Sequence, residues 1–98
     1  MEIGNLSNME DNVIRKEMFG LFELNYGDDK ELICVSQDME KLKSYMKEEA
    51  KYRFETNKNS DKECEHAIRF YETSVSIFKN GFESNCFFIE KIVRLDRD

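Results

Sequence analysis

The dipeptide Asn80-Gly81 constrains the fold more than any other feature of the sequence. Both residues tolerate positive φ, which the tight two-residue turn of a β-hairpin requires. Residues 70–79 before this dipeptide alternate in polarity, and residues 86–95 after it form a second apolar run. We therefore predict a hairpin whose two strands meet at this turn.

The returning strand of this hairpin, residues 86–95, is apolar on both sides. Because side chains alternate along a strand, its apolar residues divide into two sets. The first set is Phe87, Ile89, Val93 and Leu95, and the second is Cys86, Phe88 and Ile92. An apolar pattern on both sides predicts an interior strand, or a strand that a partner covers.

Residues 17–36 predict another hairpin, because a period of two begins at Glu17. Gly27-Asp28-Asp29-Lys30 is typical of a turn, and the short apolar run Leu32-Ile33-Cys34-Val35 follows it. In the first strand, one side would carry Met18, Gly20, Phe22, Leu24 and Tyr26, and the other would carry Phe19 and Leu21.

A long amphipathic helix is predicted over residues 38–54. Ser36-Gln37-Asp38 supplies N-cap residues, and an apolar stripe then repeats every three or four residues. The stripe consists of Met39, Leu42, Met46, Ala50 and either Arg53 or Phe54. The polar residues 55–60 are predicted to be a loop. From Ser60 a capping-box pattern favours a short helix to Tyr71, which competes with a strand from Arg69 onward.

These elements predict a single α+β domain over residues 17–98, in the order ββα(α)ββ. Its antiparallel sheet would have about four strands, with the long helix packed on one face. Residues 1–16 form a polar leader that is predicted to be either a short helix or disordered.

One helix cannot cover both faces of such a sheet. We predict that the second face carries Phe19, Leu21, Phe88 and Ile92. A second subunit, a target protein or the leader would then cover it. The alternative is that these residues are scattered surface apolars, which are common on ordinary proteins.

Composition limits the location and the partners of the chain. No apolar run reaches the roughly 18 residues of a transmembrane helix, and the first residues lack a signal-peptide pattern. The three cysteines are widely spaced and odd in number, which does not fit a disulfide framework. We expect a cytoplasmic protein that does not bind membranes.

The formal net charge of −6 is uneven, because residues 1–31 hold eight acids and three bases. Nucleic-acid binding requires clustered lysine and arginine residues. The sequence contains no such cluster, and we expect no direct contact with nucleic acid.

Catalytic and metal-binding patterns are scarce. The single histidine, His66, lies near Cys64 without a second histidine or a cysteine at ligand spacing, and we interpret the two as a solvated helical pair. The acid pairs Asp28-Asp29 and Glu48-Glu49 suit a turn and a helix surface. We expect no enzyme activity, no cofactor and no metal site.

The overall pattern is similar to that of many short uncharacterised proteins of bacteria, phages and mobile elements. Our first hypothesis is a protein-binding inhibitor or adaptor of the anti-CRISPR-like, anti-defence kind, which docks on a basic, nucleic-acid-handling partner. The alternatives are a toxin immunity or antitoxin protein, and a homodimeric structural or ligand-binding module. The predicted partner-binding residues are Glu23, Asp28, Asp29, Glu31, Phe88 and Ile92.

Overall fold

The computed structural model describes the backbone of residues 13–97 and the side chains of residues 17–92. The described chain contains one helix and five strands. They are β1 (Val13–Asn25), β2 (Glu31–Ser36), α1 (Met39–Ser60), β3 (His66–Phe70), β4 (Ser74–Lys79) and β5 (Phe82–Arg97). In this part of the chain, no helix combines the length and the apolar character that crossing a membrane demands.

The five strands form one antiparallel sheet in the order β2-β1-β5-β4-β3. β1 and β5 pair along their whole shared length, from Val13 opposite Arg97 to Asn25 opposite Asn85. The predicted α+β class, with an antiparallel sheet and one long helix, is confirmed, and the prediction of about four strands was one short. The predicted leader overlaps β1, which begins at Val13, and the rest of the leader, residues 1–12, lies outside the described residues.

The β4–β5 turn has the predicted geometry. Asn80 has φ of 52° and Gly81 has φ of 83°. Positive φ at both central residues is the mark of a type I′ turn, whose twist matches that of the flanking strands. The hairpin signal in the sequence is thereby confirmed at this position.

The helix begins at a capped N-terminus. Asp38 has extended backbone angles, and its carboxylate accepts a hydrogen bond from the backbone N–H of Lys41 at 3.1 Å. This cap satisfies one of the amides that the first turn leaves without an intrahelical partner. The helix ends at Ser60, where the Asp61 N–H donates to the Asn57 carbonyl.

The core lies between α1 and one face of the sheet. The helix contributes its predicted stripe at a spacing of four residues. The fully buried side chains are Leu42, Met46 and Ala50 from the helix, with Leu21, Val75, Ile77 and Phe87 from the strands. We call this side of the sheet the covered face.

Two element predictions were wrong. Residues 55–60, predicted as loop, belong to α1. The helix continues there because Asn57 donates to Asn85 of the sheet, so polar contacts replace the apolar stripe. The optional short helix is the strand β3, in which Ile68 packs against the core. Pairing with β4 overrides the capping-box pattern at Ser60.

The predicted second face mixed residues from two faces. Phe19 packs against the core, and Leu21 is fully buried in it. Leu21 lies opposite Ile89 in the register, whereas Phe88 lies opposite Phe22 on the other side of the sheet. The sequence pattern separated the two sides of each strand correctly, but it did not show which sides of different strands combine.

Candidate partner-binding surface

The sheet has one face that α1 does not cover. Because directly opposed residues of an antiparallel pair share a face, the register assigns each strand residue to one side. We call this side the open face. Its apolar side chains from the described parts of β1, β2 and β5 are Met18, Phe22, Leu24, Leu32, Val35, Cys86, Phe88 and Ile92. Leu32 and Val35 are exposed, and the others are half-buried.

An aromatic pair occupies the open face. The rings of Phe22 and Phe88 are stacked with centroids 5.6 Å apart and an interplanar angle of 19°. The Lys30 ammonium lies 4.7 Å from the Phe22 centroid and 3.0 Å from Glu90 Oε1. The two rings therefore form a preformed apolar platform with one cation and one carboxylate at its border.

Ile92 packs against the bare backbone of Gly20 on the same face. A Cβ atom at Gly20 would lie 2.5 Å from Ile92 Cδ1 and 3.2 Å from Leu32 Cδ1. Only a residue without a side chain leaves room for this approach. Gly20 thus lets the isoleucine lie close to the sheet beside the aromatic pair.

Glu83 holds a fixed carboxylate near the other end of the open face. Tyr26 Oη donates to its Oε1 atom. Burial acts to raise the pKa of Glu83, but hydrogen bonds from Ser76, Tyr26 and Cys86 outweigh it and lower the pKa. The carboxylate is therefore held in its charged form.

The β1–β2 turn carries two of the predicted partner-binding acids, Asp28 and Asp29, and a third, Glu31, is the first residue of β2. Asp28, Asp29 and Glu31 are all exposed, and the Asp28 N–H donates to the Asn25 carbonyl at 2.9 Å. Lys30 lies between them in the sequence and reaches over the aromatic pair. Asp28 and Asp29, which we call the acidic turn, therefore border the open face that carries the predicted Phe88 and Ile92. Glu31 lies opposite Glu23 in the register, and so on the other side of the sheet.

Glu23 does not belong to this surface, and its placement there was wrong. The residue is 4% exposed and lies on the covered face. Its two carboxylate oxygens accept hydrogen bonds from Arg53 Nε and Nη2, each at 3.0 Å, and Oε2 also accepts one from Asn85 at 3.1 Å. Glu23 therefore joins β1 to α1 through a bidentate ion pair in the folded chain.

A polar cleft of about 290 Å³ opens beside this ion pair. Its lining residues are Asn25, Arg53, Asn57, Ser60, Asp61, His66, Lys79, Ser84 and Asn85. The charged groups are already paired, because Arg53 binds Glu23 and Lys79 binds Asp61. The cleft is therefore lined mainly by side chains that already bind one another.

His66 is half-buried in β3, which corrects its interpretation as part of a solvated helical pair. Its Nε2 atom lies 2.8 Å from the Asp61 carbonyl, and its Nδ1 atom is buried without a hydrogen-bond partner. The contact to the carbonyl favours the tautomer with the proton on Nε2. The ring therefore holds the loop before β3 against the sheet.

Within the described range, no three or more histidine, cysteine or acidic side chains gather where they could hold a metal ion. Cys34, Cys64 and Cys86 are all free and half-buried. Burial raises the pKa of Cys34 and of Cys86, and this keeps both thiols in the less reactive protonated form.

Sequence reasoning did not assign Phe22, Lys30 or Glu90 to the surface. The period of two placed Phe22 on the same side of its strand as Met18. The pattern of one strand does not show which other strand pairs with it, so the contact of Phe22 with Phe88 could not be predicted. Lys30 and Glu90 are 60 positions apart, and only the β1–β5 pairing brings the β1–β2 turn to β5.

Comparison of the chain with protein-family models, with curated proteins and with solved structures found no match.

Proposed function

We propose that this protein binds a partner protein through the open face and the acidic turn, and that it acts as an inhibitor or adaptor. The observation that carries the proposal is the stacked Phe22–Phe88 pair, which lies on the side of the sheet away from α1. Aromatic side chains that are ordered before binding lose little conformational entropy on association, and such residues are typical centres of binding energy.

The charge around the aromatic pair indicates the kind of partner. Glu90 and the acidic turn lie beside it, Glu83 lies further along the same face, and Lys30 already has a carboxylate partner. A surface with this excess of carboxylates is complementary to a basic protein surface and is steered toward it by long-range attraction. Basic surfaces of this kind are typical of proteins that handle nucleic acid.

The proposed partner is therefore a nucleic-acid-handling protein, and the proposed role is to block its basic surface. This role fits an anti-defence protein of a phage or mobile element, of the anti-CRISPR-like kind. The identity of the captured partner separates this role from that of an immunity protein or antitoxin, which would bind a cognate toxin through the same chemistry.

The test begins with capture of partners from a lysate of the source organism, with the immobilised chain as bait and mass spectrometry as the readout. The recombinant partner is then titrated against the wild-type chain and against the double variant Phe22→Ser/Phe88→Ser. Tyr52→Ser is the matched control, because Tyr52 is 71% exposed on α1, away from the open face.

We expect the double variant to lose binding and the Tyr52→Ser control to keep it. Binding of the wild-type chain should also weaken as salt is raised, since added ions screen the attraction between exposed charges. Equal affinity of the wild type and the double variant would contradict the proposal. An affinity that does not change with salt would remove the electrostatic part of it.

A further inference from the structure

The strand β3 forms one edge of the sheet, and its outward backbone groups can be identified. The Glu65 carbonyl accepts from the Asn80 N–H, and the Tyr71 N–H donates to the Ser74 carbonyl, both at 2.8 Å. Hydrogen bonding alternates along a strand in an antiparallel pair. The residues between these points that turn their N–H and C=O groups away from β4 are therefore His66, Ile68 and Phe70.

The two edges of the sheet differ in their protection. The pairing of β2 with β1 is interrupted by a register shift between Leu21 and Phe22 of β1. Lys30 and Glu31 stand at the start of β2. Bulges and charges of this kind discourage edge-to-edge pairing. β3 pairs with β4 without a register shift, and among the described residues no strand pairs with its outer edge.

The side chains on the open-face side of β3 are complementary to themselves. Ala67 and Arg69 of β3 are exposed, as is Glu65 directly before the strand, and the three follow one another at every second position. If a second copy of this strand lies antiparallel with Ala67 opposite Ala67, each Glu65 lies opposite an Arg69 of the other copy. The small alanine at the two-fold axis leaves room for the two strands to approach.

We propose that β3 pairs with β3 of a second copy of this chain, centred on Ala67, to form a symmetric dimer. In this register His66 of each copy lies opposite Ile68 of the other copy. The outward N–H and C=O groups of these residues then face one another, and four hydrogen bonds form between the two strands. A shift of two residues places Ile68 at the axis and opposes Ala67 to Arg69, and this loses both ion pairs. The charge pattern therefore selects the register.

The dimer has a continuous antiparallel sheet with both helices on one side. A two-fold axis perpendicular to the sheet keeps each open face on the same side, so the dimer presents two copies of the proposed partner-binding surface side by side. The interface does not use Phe22 or Phe88. The dimer and the proposed function can therefore fail independently.

Light scattering after size exclusion, over a series of concentrations of the full chain, measures the dimer. We expect reversible dimer formation in the wild type, with a weak affinity because a single strand pair buries little area. In the Arg69→Glu variant, Glu65 of each copy faces the new glutamate at position 69 of the other copy. We expect this repulsion to weaken the dimer on the order of tenfold or more. Glu65→Arg should weaken it for the same reason.

Mixing the two single variants provides the sharper test. The Arg69→Glu chain carries acids at both positions and the Glu65→Arg chain carries bases at both, so an equimolar mixture should form a heterodimer. The double variant Glu65→Arg/Arg69→Glu should form a homodimer again. Lys41→Glu makes the same charge change as Arg69→Glu at an exposed position on α1 and should leave the dimer unchanged.

Amide hydrogen exchange tests the backbone register. The N–H groups of His66 and Ile68 should become more protected as the concentration rises in the wild type, and not in Arg69→Glu. A wild type that remains monomeric at every concentration overturns the proposal. So does a dimer that withstands Arg69→Glu, or one that Phe22→Ser/Phe88→Ser disrupts while Arg69→Glu does not.

Discussion

Phe87 and Phe88 are neighbours in the sequence, yet they lie on the two different faces of the sheet. Phe87 is 1% exposed and packs beneath α1. Phe88 is half-buried, stacks on Phe22 and lies within reach of Lys30. The covered face is an apolar core with the Glu23–Arg53 ion pair at its border, whereas the open face combines apolar and charged side chains at the surface. Folding stability should therefore depend mainly on the first face, and binding on the second.

The largest expected effect is on the covered face. Phe87→Ala removes a fully buried ring and leaves a cavity, and we expect it to lower the free energy of unfolding by about 3–5 kcal/mol. Urea unfolding followed by circular dichroism measures this change. A loss below about 1 kcal/mol would mean that Phe87 is not central to the core.

The second effect concerns the ion pair at the border of the covered face. Arg53→Met leaves the buried Glu23 carboxylate without its cation, and we expect a loss of about 2–3 kcal/mol, less than for a fully buried pair because Arg53 is partly exposed. The double variant Glu23→Leu/Arg53→Met removes both charges. It should be more stable than Arg53→Met alone in the same urea experiment, and the opposite order would contradict the role of the pair.

A smaller effect is expected at Gly20 on the open face. Gly20→Ala places a methyl group against Ile92 Cδ1, and the resulting strain should cost about 1–2 kcal/mol. Valine lacks the Cδ1 atom, so Gly20→Ala should cost less when it is introduced together with Ile92→Val. An equal cost in the two backgrounds, measured by thermal unfolding, would show that these two residues do not pack together.

Phe88→Ala should lower the free energy of unfolding less than Phe87→Ala does. The ring is half-exposed, and a stacked aromatic pair contributes about 0.5–1.5 kcal/mol beyond the area it buries. We expect a total loss of about 1 kcal/mol in urea unfolding, together with a large loss of partner affinity. A loss as large as that of Phe87→Ala would remove the distinction between the two faces.

The smallest effect is the pH dependence from Glu83. Its pKa in the folded protein lies below its ordinary value of 4.5, so its contribution to stability is complete above pH 4.5 and is lost as the pH falls through the folded pKa. The stability difference between the wild type and Glu83→Gln should therefore shrink when urea unfolding is repeated below pH 4.5. A difference that does not change with pH would show that the charged form is not stabilised.

The local parts of the fold could be predicted from the sequence. The Asn80-Gly81 turn, the cap at Asp38 and the stripe of α1 depend on neighbouring residues, so the sequence contains their signals. The assignment of residues to faces depends on which strands are neighbours. The β1–β5 pairing joins residues about 70 positions apart, and no local pattern contains that information.

The candidate site was predicted in part for the same reason. Asp28 and Asp29 are exposed in the predicted turn, Glu31 is exposed at the start of β2, and Phe88 and Ile92 share the open face. Glu23 stands between the apolar residues Phe22 and Leu24, and a charged residue in such an alternating pattern is typically exposed. Its burial could therefore not be predicted from the sequence. Its partner Arg53 lies in a different element, and the helix had to be placed on the sheet before the pair became visible.

The central position of the β1–β5 pair has a consequence for how the protein acquires its structure. β1 pairs along its whole length with β5, the strand most distant from it in the described sequence, so β1 and β2 are synthesised well before the middle of the sheet can close. Contacts between such distant segments slow folding, because a long loop must be ordered first. Until β5 has been synthesised, β1 can pair only with β2, and its other edge is a natural segment for a chaperone to bind.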